Sequence, residues 1–232
     1  MNSDQILVPK PLHKFANEQV VCIPYDLPSR TLLKALKKHS LKEKKIGCGS
    51  IYKLENKSVL YNFPGAPFTV LGLEILIASG AKEIILLGYC GSLNSDYRNT
   101  HALSISKALS EEGTSKHYIT GKDIFYPSPA LKQSIEQTLN KYKLSFNKGS
   151  TVSTDAPYRE TKSWLEEKQK MNIDSVDMET SAVFCLAEFH NIKAAALLII
   201  SDELFTGKWH PAFHLMKLIN RTKKYLFPVI FE

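Results

Sequence analysis

The sequence predicts an α/β fold, a three-layer α/β/α sandwich with helices on both faces of a central sheet. Three observations carry that expectation. Short apolar runs alternate with longer segments of helical period. The run KEIILLG (82–88) is continuously apolar after its first two residues, as a strand covered on both faces must be. The stretch from residue 58 to 88 fits strand, helix and strand into about 30 residues, the span of a βαβ unit.

Each element follows in turn. SVLYNF (58–63) has strand composition and is broken by Pro64-Gly65-Ala66-Pro67. FTVLGLEILIAS (68–79) sets Phe68, Leu71, Ile75 and Leu76 at helical spacing and stops at Gly80. HALSISKAL (101–109) reads as a strand. Ser128-Pro129 supplies an N-cap and a first-turn proline for a helix to about Tyr142. FNKGSTVST (146–154) is strand-like, and a helix is expected near 160–170. Met178, Ala182, Cys185, Leu186 and Phe189 share one face of a helix over about 177–190. AAALLII (194–200) is the next strand, and Phe213, Met216 and Ile219 give the last segment helical period. With no repeat, low-complexity run or linker, residues 1–232 are expected to form one domain.

Composition excludes several classes. The net charge is +7, but the lysines are scattered, and the densest patch, ALKKHSLKEKK, lacks interleaved aromatics; no nucleic-acid partner is expected. No apolar run reaches about 18 residues, so no membrane span is expected. The N-terminal MNSDQILVPKPLHKF lacks a charged head with an apolar core, which points away from a secretory signal. Cys22, Cys48, Cys90 and Cys185 show no paired spacing and read as reduced thiols of a cytoplasmic protein, with no metal site. GYCGS superficially resembles a nucleophile elbow with Cys90 at its tip, but glycine follows the cysteine immediately instead of two residues later.

Ligand crevices in such sheets lie beyond the carboxyl ends of strands. Gly88-Tyr89-Cys90-Gly91-Ser92 and Ser201-Asp202-Glu203 both hold that position and are expected to face one pocket. Glu179 is either a plain helix-start acid or an acceptor for two neighbouring hydroxyls, as a ribose presents. Asp202 is either a turn cap or a buried acid with a raised pKa, able to donate a proton. Together the two suggest chemistry on a sugar whose leaving group needs a proton.

Four blocks, in order, resemble the nucleoside phosphorylase/nucleosidase superfamily. Gly88-Tyr89-Cys90-Gly91 is similar to its G-[ST]-[CAT]-G, and STDAPYRE (153–160) to its S-x-D-x-F-Y base segment. Val176-Asp177-Met178-Glu179-Thr180-Ser181 is similar to its V-E-M-E-[AS]-[AS], and Ile200-Ser201-Asp202 to its [VI]-S-D. The resemblance implies a mixed, partly barrel-like central sheet and a homo-oligomer: dimer, trimer or hexamer. It implies that Glu179 holds the ribose hydroxyls, Met178 packs on the sugar, and Asp202 protonates or hydrogen-bonds a purine-type base as it leaves. Tyr158, Asp155 and Phe205 are assigned to the base pocket. Arg30, Tyr89, Cys90, Gly91, Thr114, Ser115 and His117 are assigned to the phosphate or sugar side. The expected reaction is phosphorolysis of a nucleoside to free base and sugar 1-phosphate, with inorganic phosphate as co-substrate and no other cofactor.

The sequence also departs from the pattern. Tyr25 stands where the family has a glycine, Leu86 where it has an arginine, Tyr89 where it has a small hydroxyl residue, and Pro157 where it has a stacking phenylalanine. A phosphate dianion needs several donors and a positive charge. A hydrolytic nucleosidase and a non-catalytic nucleoside-binding relative therefore stand as alternatives.

Overall fold

The structure is a computed structural model that describes residues 6–232. The first five residues of the N-terminal stretch, on which the expectation about a secretory signal partly rests, lie outside the described residues. In chain order the strands and helices are β1 (Gln19–Ile23), α1 (Thr31–His39), β2 (Lys42–Ile46), β3 (Gly49–Lys53), β4 (Lys57–Tyr61) and α2 (Ala66–Ala78). Then come β5 (Glu83–Ser92), β6 (Ala102–Ser110), β7 (Ile124–Phe125), α3 (Pro129–Lys141), β8 (Asn147–Ser153) and α4 (Lys162–Lys170). The chain continues through β9 (Ser175–Asp177), α5 (Thr180–Phe189), β10 (Lys193–Glu203), β11 (His210–Pro211) and α6 (Met216–Phe231).

All eleven strands join one mixed sheet. β5 pairs with β10, β10 with β6, β6 with β8, β8 with β9, and β9 returns to β5. That ring is the barrel-like part of the sheet. From β5 an open wing runs through β1, β4 and β3 to β2. β2 is the free edge, and its exposed Lys42, Lys44 and Lys45 hinder pairing with a second sheet. The lysine-rich patch of the sequence is thus half helix and half edge strand.

Alternation along the central strands builds the two cores. Ile84 and Leu86 of β5, with Ala194, Ala196, Leu198 and Ile200 of β10, face α2 and α5. Ile85 and Leu87, with Ala195, Leu197 and Ile199, face α1, α3 and α6. Burial on both faces is why these runs carry no polar alternation.

Three boundaries differ from expectation in ways that matter for the site. The helix expected from residue 177 begins at Thr180, because Val176 and Asp177 are held in β9 beside Val152 and Ser153 of β8. β10 continues past its apolar run through Ser201, Asp202 and Glu203, with a bulge between Ile200 and Asp202. Phe213 lies before α6 instead of in it. Among the described residues no helix is long and apolar enough to cross a membrane.

Candidate functional site

The cleft forms where β5 changes neighbours. β1 pairs with Glu83 to Leu86, and β9 takes over only at Gly91 and Ser92. Between them, Leu87 to Cys90 pairs with β10 alone, so one edge of β5 is left open toward the ligand side. The resulting cleft has a volume of about 720 Å³.

Glu179 and Asp202 both line it, as does the backbone from Gly88 to Gly91. Gly91 is required by close approach: a Cβ there would lie 2.4 Å from Leu204 Cδ1 and 3.1 Å from Asp202 Oδ2. Glu179 is the residue before α5, and its Oε1 accepts a hydrogen bond of 2.6 Å from the Gly65 N–H. Gly65 adopts a φ of 80°, open to glycine, and aims that N–H from the start of α2. Burial, followed by the charge of Asp177, pushes the Glu179 carboxyl up; the Gly65 N–H opposes it.

Asp177, two residues away, has a different task. Ser153 Oγ donates to it at 2.6 Å and the Thr180 N–H at 2.8 Å, with the Thr180 hydroxyl also bonded. It thereby caps α5 and ties that helix to β8. Burial raises its pKa and these donors pull it back.

Asp202 sits at the bulge of β10. Ser201 Oγ donates to Oδ1 at 2.7 Å, and the Trp209 indole N–H donates to Oδ2 at 2.9 Å. Burial raises the Asp202 carboxyl, and both donors oppose the shift. Glu160 lines the same cleft and has no side-chain hydrogen-bond partner among the described residues. Burial, then the charge of Asp202, pushes it up to about 7.

Another wall is aromatic. Tyr25 meets Tyr89 edge to face at 6.3 Å and Phe213 at 6.5 Å. Tyr89 Oη pairs with Thr222 Oγ1 at 3.0 Å, and burial pushes its phenol well up. Among the described residues the only cations lining the cleft are Lys162 and Lys208.

Of the residues singled out in the sequence, the cleft gathers Met178, Glu179, Asp202, Tyr158, Tyr89, Cys90 and Gly91. Tyr158 stands fully exposed at its rim. Cys90 lies within β5, not on a strand-to-helix turn, and burial pushes its thiol well up; the geometry removes the nucleophile-elbow reading. The other assignments fall outside the lining. Arg30 is exposed before α1. Thr114 and Ser115 fold onto the buried Glu112, whose carboxylate accepts from both of their N–H groups, and His117 is exposed. Asp155 is exposed and accepts the Gly113 N–H at 2.7 Å, tying two loops together. Phe205 turns away to meet the Arg98 guanidinium at 4.8 Å. These are corrections to placement: Thr114, Ser115, Asp155 and Phe205 are each engaged by a nearby partner outside the cleft, and Arg30 and His117 are exposed away from its lining.

Glu160, Lys162 and Trp164 line the cleft without having been assigned by sequence. The signal for Glu160 was its place at the end of STDAPYRE, one residue before the Thr161 cap of α4.

Comparison with known proteins follows the geometry. The family model described as "Phosphorylase superfamily" matches residues 49–224. "Uncharacterized protein R802" of Acanthamoeba polyphaga mimivirus is 31% identical over 140 residues, 60% of this chain and 54% of that protein. The chain thus matches about half the length of that relative. "Purine nucleoside phosphorylase DeoD-type" of Bacillus cytotoxicus is 27% identical over 167 residues, 70% of each chain. A crystal structure of purine nucleoside phosphorylase from Toxoplasma gondii, in complex with immucillin-H, superposes with a TM-score of 0.79 at 19% identity. It covers 98% of this chain and 95% of that one, and it shares the fold.

Proposed function

The chain belongs to the phosphorylase superfamily, and on that premise we propose that it cleaves the N-glycosidic bond of a nucleoside with water as the attacking group. The observation that carries the cleavage is the convergence of Glu179 and Asp202 on one cleft of about 720 Å³, from segments 23 positions apart (202 − 179). Glu179 receives the ribose 2′ and 3′ hydroxyls, with Met178 against the sugar. Departure of the base builds positive charge on the sugar and negative charge on the base. A carboxylate beside the sugar favours the first, and hydrogen bonding from the Asp202 side favours the second. A purine fits this arrangement because its ring nitrogens can take a hydrogen bond or a proton as it leaves.

Water is favoured over phosphate by the aromatic wall of Tyr25, Tyr89 and Phe213 and by the lack of arginine among the described lining residues. A dianion would find few donors there. Phosphorolysis is the second reading, favoured by the 27% identity to a purine nucleoside phosphorylase.

The test is a panel of purine and pyrimidine nucleosides, incubated with and without phosphate and chromatographed for base and sugar. Free base and free pentose at a rate indifferent to phosphate are expected. Sugar 1-phosphate would transfer the assignment to phosphorolysis, and no base from any nucleoside would end both.

A further inference from the structure

Trp209 belongs to none of the four sequence blocks, yet it touches the acid at the end of β10. Its indole N–H donates to Asp202 Oδ2 at 2.9 Å. Backbone pairing brings it there. After β10 the chain turns at Leu204, where the Gly207 N–H donates back to the Leu204 carbonyl at 2.8 Å. Gly207 takes a φ of 73°, which favours glycine. β11 then pairs antiparallel with the end of β10, His210 opposite Glu203 and Pro211 opposite Asp202. The Ala212 N–H donates to the Ser201 carbonyl at 2.8 Å and extends that pairing. Trp209 is the last residue of the turn, so the hairpin returns it to Asp202. Both line the cleft, and Trp209 is 63% exposed. Its polar atom is committed to Asp202, while its ring adds little to the core.

The two oxygens of Asp202 are held differently. An indole N–H donates only, so Oδ2 is an acceptor in either protonation state of the carboxyl. Ser201 Oγ lies 2.7 Å from Oδ1 and 3.3 Å from the Cys90 carbonyl, and it has one proton to give. When the Ser201 hydroxyl turns to Cys90, Oδ1 is free to carry a proton. When it turns to Oδ1, the carboxyl is satisfied as an anion. One hydroxyl rotation thus accommodates an acid before and after it gives up its proton. A neutral indole suits that cycle better than a cation would, because a cation at Oδ2 favours the anion and holds the proton off. Burial of Asp202 works toward the protonated form as well.

We propose that Trp209 is the positioning residue of the leaving-group acid: it fixes the plane of the Asp202 carboxyl and reserves Oδ2, so that the transferable proton sits on Oδ1. This rests on the functional reading above and adds a residue outside the four blocks. In the step, the C1′–N bond breaks and its electron pair stays on the base. The Asp202 Oδ1–H proton moves to a base nitrogen, and the Ser201 hydroxyl turns to the new anion. Water oxygen bonds to C1′ and releases a proton to solvent, from which Asp202 is protonated again. The sum is nucleoside plus water to base plus pentose. Trp209 gains and loses no atom; its N–H keeps the carboxyl aimed through the step.

The test compares wild type with Trp209→Phe, which keeps a ring and removes the N–H, and with Trp209→His, whose Nε2–H stands at the same point of the five-membered ring. Trp209 is an exposed loop residue, so both variants should fold and melt near the wild-type temperature. Trp209→Phe should lower kcat for a purine nucleoside about tenfold, the order of one hydrogen bond to a reacting group, with KM within about twofold. Trp209→His should recover most of that loss. In an Asp202→Asn background, whose slow base release is read over long incubation, Trp209→Phe should cost nothing further. A stacking or purely structural role predicts the same loss in both backgrounds. Wild-type kcat in Trp209→Phe, a loss confined to KM, no recovery in Trp209→His, or additive losses with Asp202→Asn would each overturn the positioning role while base release stands. No base from any nucleoside in the wild type would overturn the functional reading, and the positioning role with it.

Discussion

The β8–β9–α5 junction and the base-side rim both bury carboxylates, yet they treat them oppositely. At the junction Asp177 is 6% exposed and accepts from Ser153, Thr180 and the backbone of the helix it caps. Ser153 also accepts the Ser181 N–H at 2.9 Å, and Ser181 Oγ donates to Glu112 at 3.0 Å, so the junction is a closed polar network. At the rim Glu160 has no such donors and feels the charge of Asp202. Burial raises the pKa of both; the number of donors decides which one is spent on structure. The comparison teaches that a carboxylate's distance from a cleft says less about its task than what already bonds to it.

The strongest way to break this contrast is Asp177→Ala. It would leave buried hydroxyls and an uncapped helix, with a loss of roughly 3 kcal/mol in urea unfolding. A loss below about 1 kcal/mol would mean that the junction does not depend on the charge. Next in size is Glu179→Gln. If Glu179 serves the sugar instead of the fold, kcat/KM should fall by about 10²-fold, which is about 2.7 kcal/mol, with little change in unfolding midpoint. A large midpoint shift with intact turnover would move Glu179 into the structural class beside Asp177.

The smallest effect sharpens the rim. Burial, then the charge of Asp202, pushes the Glu160 carboxyl from the ordinary 4.5 of an unfolded glutamate up to about 7. Below the lower value both states are protonated. Between the two, the folded state holds the extra proton, so stability declines as pH rises, and above about 7 the loss is complete. Glu160→Gln removes that dependence. It should therefore unfold a few degrees higher than wild type at pH 8, about 2–4 °C, and no higher at pH 4, by calorimetry. Equal shifts at both pH values would show that the carboxyl is not strained by burial.

Much of the fold was legible in order along the chain. The run KEIILLG, the Ser128-Pro129 start of α3 and the apolar stripe of α5 each carry their own local signal, because periodicity and capping are properties of neighbouring residues. The amino-terminal wing was less legible: α1 is amphipathic but only nine residues long, and β2 is a lysine-rich edge strand exposed along most of its length, with no apolar face to mark it. Of the site, the residues carried by motif blocks, Met178, Glu179 and Asp202, reach the cleft. Asp155, although it belongs to the STDAPYRE block, does not, and neither do Thr114, Ser115, His117, Arg30 and Phe205.

What the sequence determined by itself was most of the longer strands and helices from β4 onward and the presence of acids at the ends of core segments. Tertiary structure decided which acid is tied down and which is left free. That choice depends on β9 replacing β1 along one edge of β5, on the bulge at Ser201, and on a glycine narrow enough to admit Asp202. Each of these is a meeting of segments far apart in the chain. Local preference cannot specify such a meeting, because the free energy that fixes it comes from long-range pairing and burial.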